Sequence, residues 1–205
     1  MIPEKIGFIG LGHIGGSVAK TVHRIYPDIQ IVAYDTCRAT LDTALQEGVI
    51  SEALDQVGKG FSDCNYIYLC APVLDNADYV RELSGILHDD MLLTDVGSVK
   101  TGIHEQIQKF PDLERHFIGG HPMCGTEHVG YEYSTAYMLE NAYYILTPTH
   151  TVSPQKVDEF EHFVTSIGAV PLILDYKKHD FFCRFHQPSS YGHSLYTGQS
   201  GKKSG

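Results

Sequence analysis

Six residues near the start, Gly10-Leu11-Gly12-His13-Ile14-Gly15, constrain the fold of this chain more than any others. They follow a short apolar run, Ile6 to Ile9, and open a helical stretch from about Ile14 to Tyr26. A glycine triplet at this spacing says little alone, but between a strand and a helix it specifies a dinucleotide-binding turn. Gly10 permits the tight turn, Gly12 lets backbone approach a pyrophosphate, and Gly15 lets the helix pack on the strand. The phosphates then sit at the helix N-terminus, where free N–H groups and the dipole favour an anion. Gly10, Gly12, His13, Ile14 and Gly15 are therefore the expected cradle. An acidic residue is expected about 20 positions on, at the end of the second strand, and Asp35 stands there. Its carboxylate would accept ribose hydroxyls and repel a 2′-phosphate, which favours NAD. Arg38 keeps NADP open as the lesser option.

The rest of the pattern alternates in the same way. Strands are expected at Ile29 to Tyr34, Tyr66 to Ala71, Met91 to Val96, Phe117-Ile118, Ala142 to Leu146 and Val170 to Leu174. Helices are expected at Ala39 to Glu47, Asp78 to Leu87, Thr101 to Phe110 and from Ser153-Pro154 to about Ile167. Ser153-Pro154 carries the cap and first-turn proline of a helix start. Strand–helix alternation implies an α/β fold with a doubly wound, mostly parallel Rossmann-type sheet, helices covering both faces.

A second motif, Gly120-His121-Pro122-Met123-Cys124-Gly125, places one histidine just past the strand at Phe117-Ile118. That is the carboxyl edge of the sheet, where open parallel sheets bind ligands. A neutral imidazole there can take a proton from a hydroxyl as hydride leaves its carbon. Ser98 lies beyond another strand end and can either hydrogen-bond His121 or substrate, or cap the helix at Thr101. Ala71-Pro72 would border a nicotinamide. Glu127 can guard the site or be an ordinary solvated carboxylate. Lys100 reads as a structural ion pair rather than a ligand. His23, His88, His104, His116, His150 and His162 read as surface or packing residues.

The net charge of −10 argues against a nucleic-acid partner, which needs a basic face. Cys37, Cys64, Cys70, Cys124 and Cys183 include no C-x-x-C pair, so no zinc or redox motif is expected. Reduced thiols suggest a cytoplasmic setting. No signal-peptide pattern and no membrane-spanning apolar run are visible.

Several segments, in order and spacing, resemble the prephenate dehydrogenase family: Gly7 to Ser17, Cys70-Ala71-Pro72-Val73, Asp95-Val96-Gly97-Ser98-Val99-Lys100, Ile118 to Gly130, Glu140-Asn141-Ala142 with Leu146-Thr147-Pro148, and His179-Asp180. The resemblance runs to about residue 182. It implies NAD-dependent oxidative decarboxylation of prephenate to 4-hydroxyphenylpyruvate, or the same chemistry on arogenate. By resemblance His121 takes the proton of the ring hydroxyl, Ser98 helps hold that histidine and the substrate, and Glu127 and His179 line the substrate pocket. The family also implies a long apolar helical domain after His-Asp, which completes the substrate site and forms a homodimer.

The sequence departs from that pattern after Phe182. From Cys183 it is rich in Ser, Gly and His, with no helical period, and reads as turn-rich or disordered. The expected division is a dinucleotide-binding domain over 1–176, the start of a linker helix over 177–182 and an aberrant tail over 183–205, with the C-terminal helical dimerisation domain absent. A frameshift after Phe182 would produce this change; a genuine short tail is the alternative. Such a truncated chain is expected to bind NAD and to turn over substrate poorly or not at all, leaving a non-catalytic dinucleotide-binding fragment as the third reading.

Overall fold

The computed structural model describes residues 2–71, 73–125 and 128–186. Its strands are β1 (Lys5–Ile9), β2 (Gln30–Tyr34), β3 (Glu52–Ala53), β4 (Tyr66–Leu69), β5 (Leu92–Asp95), β6 (Phe117–Pro122), β7 (Tyr143–Pro148) and β8 (Val170–Ile173). Its helices are α1 (His13–Ile25), α2 (Arg38–Gln46), α3 (Val73–Leu83), α4 (Thr101–Ile107), α5 (Pro111–Glu114), α6 (Pro154–Ser166) and α7 (Tyr176–His186). The strands form a single sheet in the order β3-β2-β1-β4-β5-β6-β7-β8.

Alternation along each strand divides the core in two. Ile6 and Phe8 of β1 and Tyr66 and Tyr68 of β4 face Val18 and Val22 of α1 and Phe160 and Phe163 of α6. Ile9, Ile67 and Leu69 face the opposite way, onto Val80 and Leu83 of α3 and Ile103 and Ile107 of α4. A strand covered on both faces must be apolar at successive positions, which is why these segments read as unbroken apolar runs. The chain leaves β1 toward β2 on one side and returns as β4 on the other. That reversal opens a crevice beyond the carboxyl ends of β1 and β4, the site-forming edge of a doubly wound sheet.

Several boundaries differ from the sequence expectation. β6 and β7 pair antiparallel, with His121 opposite Ile145, while the other six strand pairings are parallel. This pairing extends β6 through Pro122, so His121 lies inside a strand and not in a loop. The two-residue β3 is an eighth strand. α3 begins at Val73, five residues before the expected start, and ends at Leu83, ahead of Gly85. The helix expected over 101–110 ends at Ile107 as α4, and a separate short helix that was not expected, α5, is opened by Pro111. α7 continues to His186, four residues into the stretch read as irregular; Cys, Arg, Phe and His are all tolerated in helices, and the next breaker in sequence is Pro188. Residues 187–205 lie outside the described residues. No helix among the described residues is long and apolar enough to cross a membrane.

Candidate functional site

The crevice between β1 and β4 is a cleft of about 520 Å³, lined among others by Gly10, Gly12, His13, Ile14, Gly15, Asp35, Cys70, Ala71, Gly97 and Ser98. Gly10 turns the chain with φ +96°, and a Cβ there would strike the Cys70–Ala71 backbone. Gly12 is different: a Cβ would meet no protein atom within 4 Å. The start of α1 thus faces open space within the cleft, which is what a pyrophosphate over a helix N-terminus requires. Asp35 accepts the Leu11 N–H (2.7 Å) and the Cys37 N–H (2.8 Å), which locks the carboxylate beside the glycine turn. A larger hollow of about 760 Å³ lies at the other edge of the sheet, among Lys5, Tyr26 and Asp63. It contains none of the residues that the motifs single out.

One strand beyond the cleft, a line of polar groups runs through the protein. Asp180 Oδ1 lies 2.8 Å from His179 Nδ1, and His179 Nε2 lies 2.9 Å from His121 Nδ1. His179 is fully buried and His121 is 6% exposed. Asp180 also accepts the Lys100 N–H (2.7 Å) and the Thr101 N–H (2.8 Å) at the start of α4. Burial pushes the Asp180 carboxyl up, but these hydrogen bonds outweigh it and hold it below the ordinary carboxylate range. An ionised Asp180 draws the His179 proton to Nδ1. His179 Nε2 is then the acceptor, so His121 must donate from Nδ1, and His121 Nε2 is left with its lone pair. Burial first, then the charge of Lys100 and the neighbouring His179, pushes His121 down to about 3, so it is neutral at pH 7. The arrangement presents a neutral imidazole in a fixed tautomer, the form a general base needs.

Lys100 and Asp95 hold this strand in place. Lys100 is fully buried, contacts Asp95 Oδ2, and donates to the Gly120 carbonyl at 2.6 Å. Asp95 accepts the Gly97 N–H (3.0 Å) and the Gly120 N–H (3.1 Å). The buried pair thus ties the turn that carries Ser98 to the residue preceding His121. His104, stacked on Tyr176 at 4.3 Å and 2.9 Å from Thr147 Oγ1, is a packing residue whose burial pushes it down to about 4.

Most of the residues singled out in the sequence converge. Gly10, Gly12, His13, Ile14, Gly15, Asp35, Ala71 and Ser98 share the cleft. Ser98 is exposed, and among the described residues the Nδ1 partner of His121 is His179, not Ser98. Nor does Ser98 cap α4: the first N–H groups of that helix are taken by Asp180. The Arg38 guanidinium is held by Asp42 (2.9 Å) and Asp55 (3.3 Å), so its charge is already compensated. Pro72 and Glu127 lie outside the described residues. Thr36, Cys70, Tyr79, Val96, His128 and Val129 also line the cleft and were not foreseen. The capping role of Asp180 was missed too, because its partners are 79 and 80 residues away.

Residues 18–173 match the family described as prephenate dehydrogenase, nucleotide-binding domain. The chain is 31% identical over 179 residues to a prephenate dehydrogenase from Bacillus subtilis, covering 86% of this chain and 48% of that protein. It therefore spans about half the length of that curated relative. Among solved structures, it is similar to prephenate dehydrogenase from Aquifex aeolicus in complex with hydroxyphenyl propionate and NAD+, with a TM-score of 0.82 and 29% identity, over 89% of this chain and 63% of that one. A Synechocystis arogenate dehydrogenase gives a TM-score of 0.78 at 29% identity, over 86% of this chain and 61% of that one.

Proposed function

Because the chain belongs to the prephenate dehydrogenase family through its nucleotide-binding domain, we propose that it binds NAD in the β1/β4 cleft and serves the oxidative decarboxylation of prephenate to 4-hydroxyphenylpyruvate. The observation that carries this reading is the chain Asp180–His179–His121 beside a cleft with ligand space over Gly12. Bound NAD supplies the hydride acceptor. His121 Nε2 takes the proton of the ring hydroxyl, and His179, held by Asp180, stabilises the positive charge that His121 then gains. The Asp95–Lys100 pair keeps β6 and the Ser98 turn at fixed separation, and Ser98 meets the cofactor or substrate from its exposed position. Glu127 is assigned to the substrate pocket. Asp35 accepts the ribose hydroxyls and repels a 2′-phosphate, while Arg38 is neutralised by Asp42 and Asp55; NAD is favoured over NADP on both counts. The exposed apolar side chains Leu172 and Ile173 of β8 and Phe181 and Phe182 of α7 mark where the remaining part of such an enzyme, and a second copy, would pack.

The test is prephenate-dependent NADH formation by the chain and by its His121→Asn variant, alongside NAD affinity. Loss of a general base costs about 10²–10⁴-fold in rate, so whatever turnover the chain supports is expected to fall by that much in the variant at unchanged NAD affinity, measured on the chain at a concentration where its own turnover is detectable. Turnover equal to that of the unaltered chain would overturn the assignment. The likeness to an arogenate dehydrogenase supports arogenate as the second substrate, and the ratio of rates on the two separates them.

A further inference from the structure

The line of polar groups ends on a thiol. Cys183 Sγ lies 3.4 Å from His179 Nε2, one helical turn along α7. One ring nitrogen each of His121 and His179 and the Cys183 Sγ all lie within 4.8 Å of one another. We infer that His121, His179 and Cys183 form a binding site for a soft divalent transition metal such as Zn²⁺.

The geometry is close to what such an ion needs. Tetrahedral Zn²⁺ with Zn–N of about 2.05 Å and Zn–S of about 2.3 Å sets its ligands about 3.3 Å (N···N) and about 3.6 Å (N···S) apart. The His121–His179 and His179–Cys183 separations are 2.9 Å and 3.4 Å and all three donor atoms lie within 4.8 Å, so side-chain shifts of about an ångström or less bring the donors to these distances. A second observation is independent of the first. Asp180 Oδ1 accepts from the Nδ1 of His179 at 2.8 Å, which leaves Nε2 as the coordinating atom. A carboxylate behind a histidine in this way is the arrangement that orients metal-binding imidazoles and raises their basicity. Three protein ligands leave a fourth position for water, and the N₂S donor set favours Zn²⁺ and its neighbours over Mg²⁺ or Ca²⁺.

The protons balance. Coordination at His121 Nδ1 moves its proton to Nε2, and the Cys183 thiol releases its proton to solvent, so one proton leaves per metal bound. Nε2 of His121 is then protonated and has no lone pair. Metal occupancy and a base role for His121 exclude one another. The site is invisible to motif reading because His121 is 58 residues from His179 and His179-x-x-x-Cys183 holds only two of its ligands.

The test is titration of the reduced, metal-free chain with Co²⁺, read by near-ultraviolet absorption, where a thiolate bound to Co²⁺ gives a charge-transfer band. One equivalent of Co²⁺ should produce the band. It should vanish in Cys183→Ser and persist in Cys37→Ser, which removes an exposed thiol outside the cluster. Zn²⁺ should displace Co²⁺ and bleach it. A second readout needs no variant: Zn²⁺ should slow alkylation of Cys183 at least about tenfold, mapped by mass spectrometry. Absence of the band, its survival in Cys183→Ser, its loss in Cys37→Ser, or unchanged alkylation of Cys183 would each overturn the inference. None of these readouts depends on dehydrogenase turnover.

Discussion

Asp180 joins three parts of the protein, and replacing it with alanine separates them. Its Oδ1 accepts Lys100 N–H and His179 Nδ1–H, and its Oδ2 accepts Thr101 N–H, all within 2.8 Å. Loss of the acceptors at the α4 N-terminus costs about 1 kcal/mol, the usual value of an N-cap. His179 is fully buried, so its unpaired Nδ1–H adds about 1–3 kcal/mol. Alanine inside α7 returns a few tenths through helix propensity. The sum is a destabilisation of about 2–4 kcal/mol, with little solvent screening because the Asp180 side chain is only 16% exposed. Urea unfolding followed by circular dichroism should show a lower midpoint at unchanged slope, a shift of about 1–2 M for a slope near 2 kcal/mol/M. Asp180→Asn keeps one acceptor oxygen and should recover part of the loss. A cost below about 0.5 kcal/mol for Asp180→Ala would refute the reasoning, since it would mean that neither α4 nor His179 depends on this carboxylate.

Other perturbations follow from the same contacts. Lys100→Met leaves Asp95 buried without its counter-charge and should cost about 3–5 kcal/mol; adding Asp95→Asn should return part of that loss, and a double variant less stable than the single would contradict it. His104 is held neutral at about 4 in the fold against 6.5 when unfolded, so the unfolded chain binds more protons between those values. Its share of the stability should therefore be full above pH 6.5 and fall by up to about 3 kcal/mol as pH drops to 4, with His121, held neutral to about 3, adding to the loss in the same window. Urea midpoints between pH 7 and 4.5 should show a decline that His104→Gln makes shallower, leaving the part due to His121. Asp35→Asn keeps the acceptor for Leu11 but removes the charge, and should narrow the preference for NAD over NADP about tenfold, about 1.4 kcal/mol, by calorimetry; an unchanged ratio would detach Asp35 from selectivity.

The sheet was legible because its central strands are apolar on both faces and its helices are punctuated by Gly and Pro. The glycine turn and Asp35 were legible because their spacing along the chain fixes their spacing in space. What escaped was set by pairings distant in sequence. β6 reaches Pro122 only because β7 pairs antiparallel with it, and nothing within Phe117–Pro122 announces that partner. β3 exists only through its register with Val32 and Ala33. Ser98 read as a cap or a partner of His121 because both partners are near it in sequence or motif. The structure gives both tasks to His179 and Asp180, which arrive from α7. Helical periodicity placed the end of regular structure at Phe182, whereas α7 continues through Cys183 to His186.

The central claim is that the space over Gly12 belongs to a dinucleotide, and calorimetric titration of NAD into the chain and into Gly12→Val tests it most directly. The valine side chain grows from a Cβ that meets no protein atom within 4 Å, at a φ of −69° that any residue adopts. Folding stability should hold within about 1 kcal/mol. NAD affinity should fall at least about tenfold, about 1.4 kcal/mol or more. Equal affinity in the two proteins, or no binding of NAD to the unaltered chain, would contradict the claim.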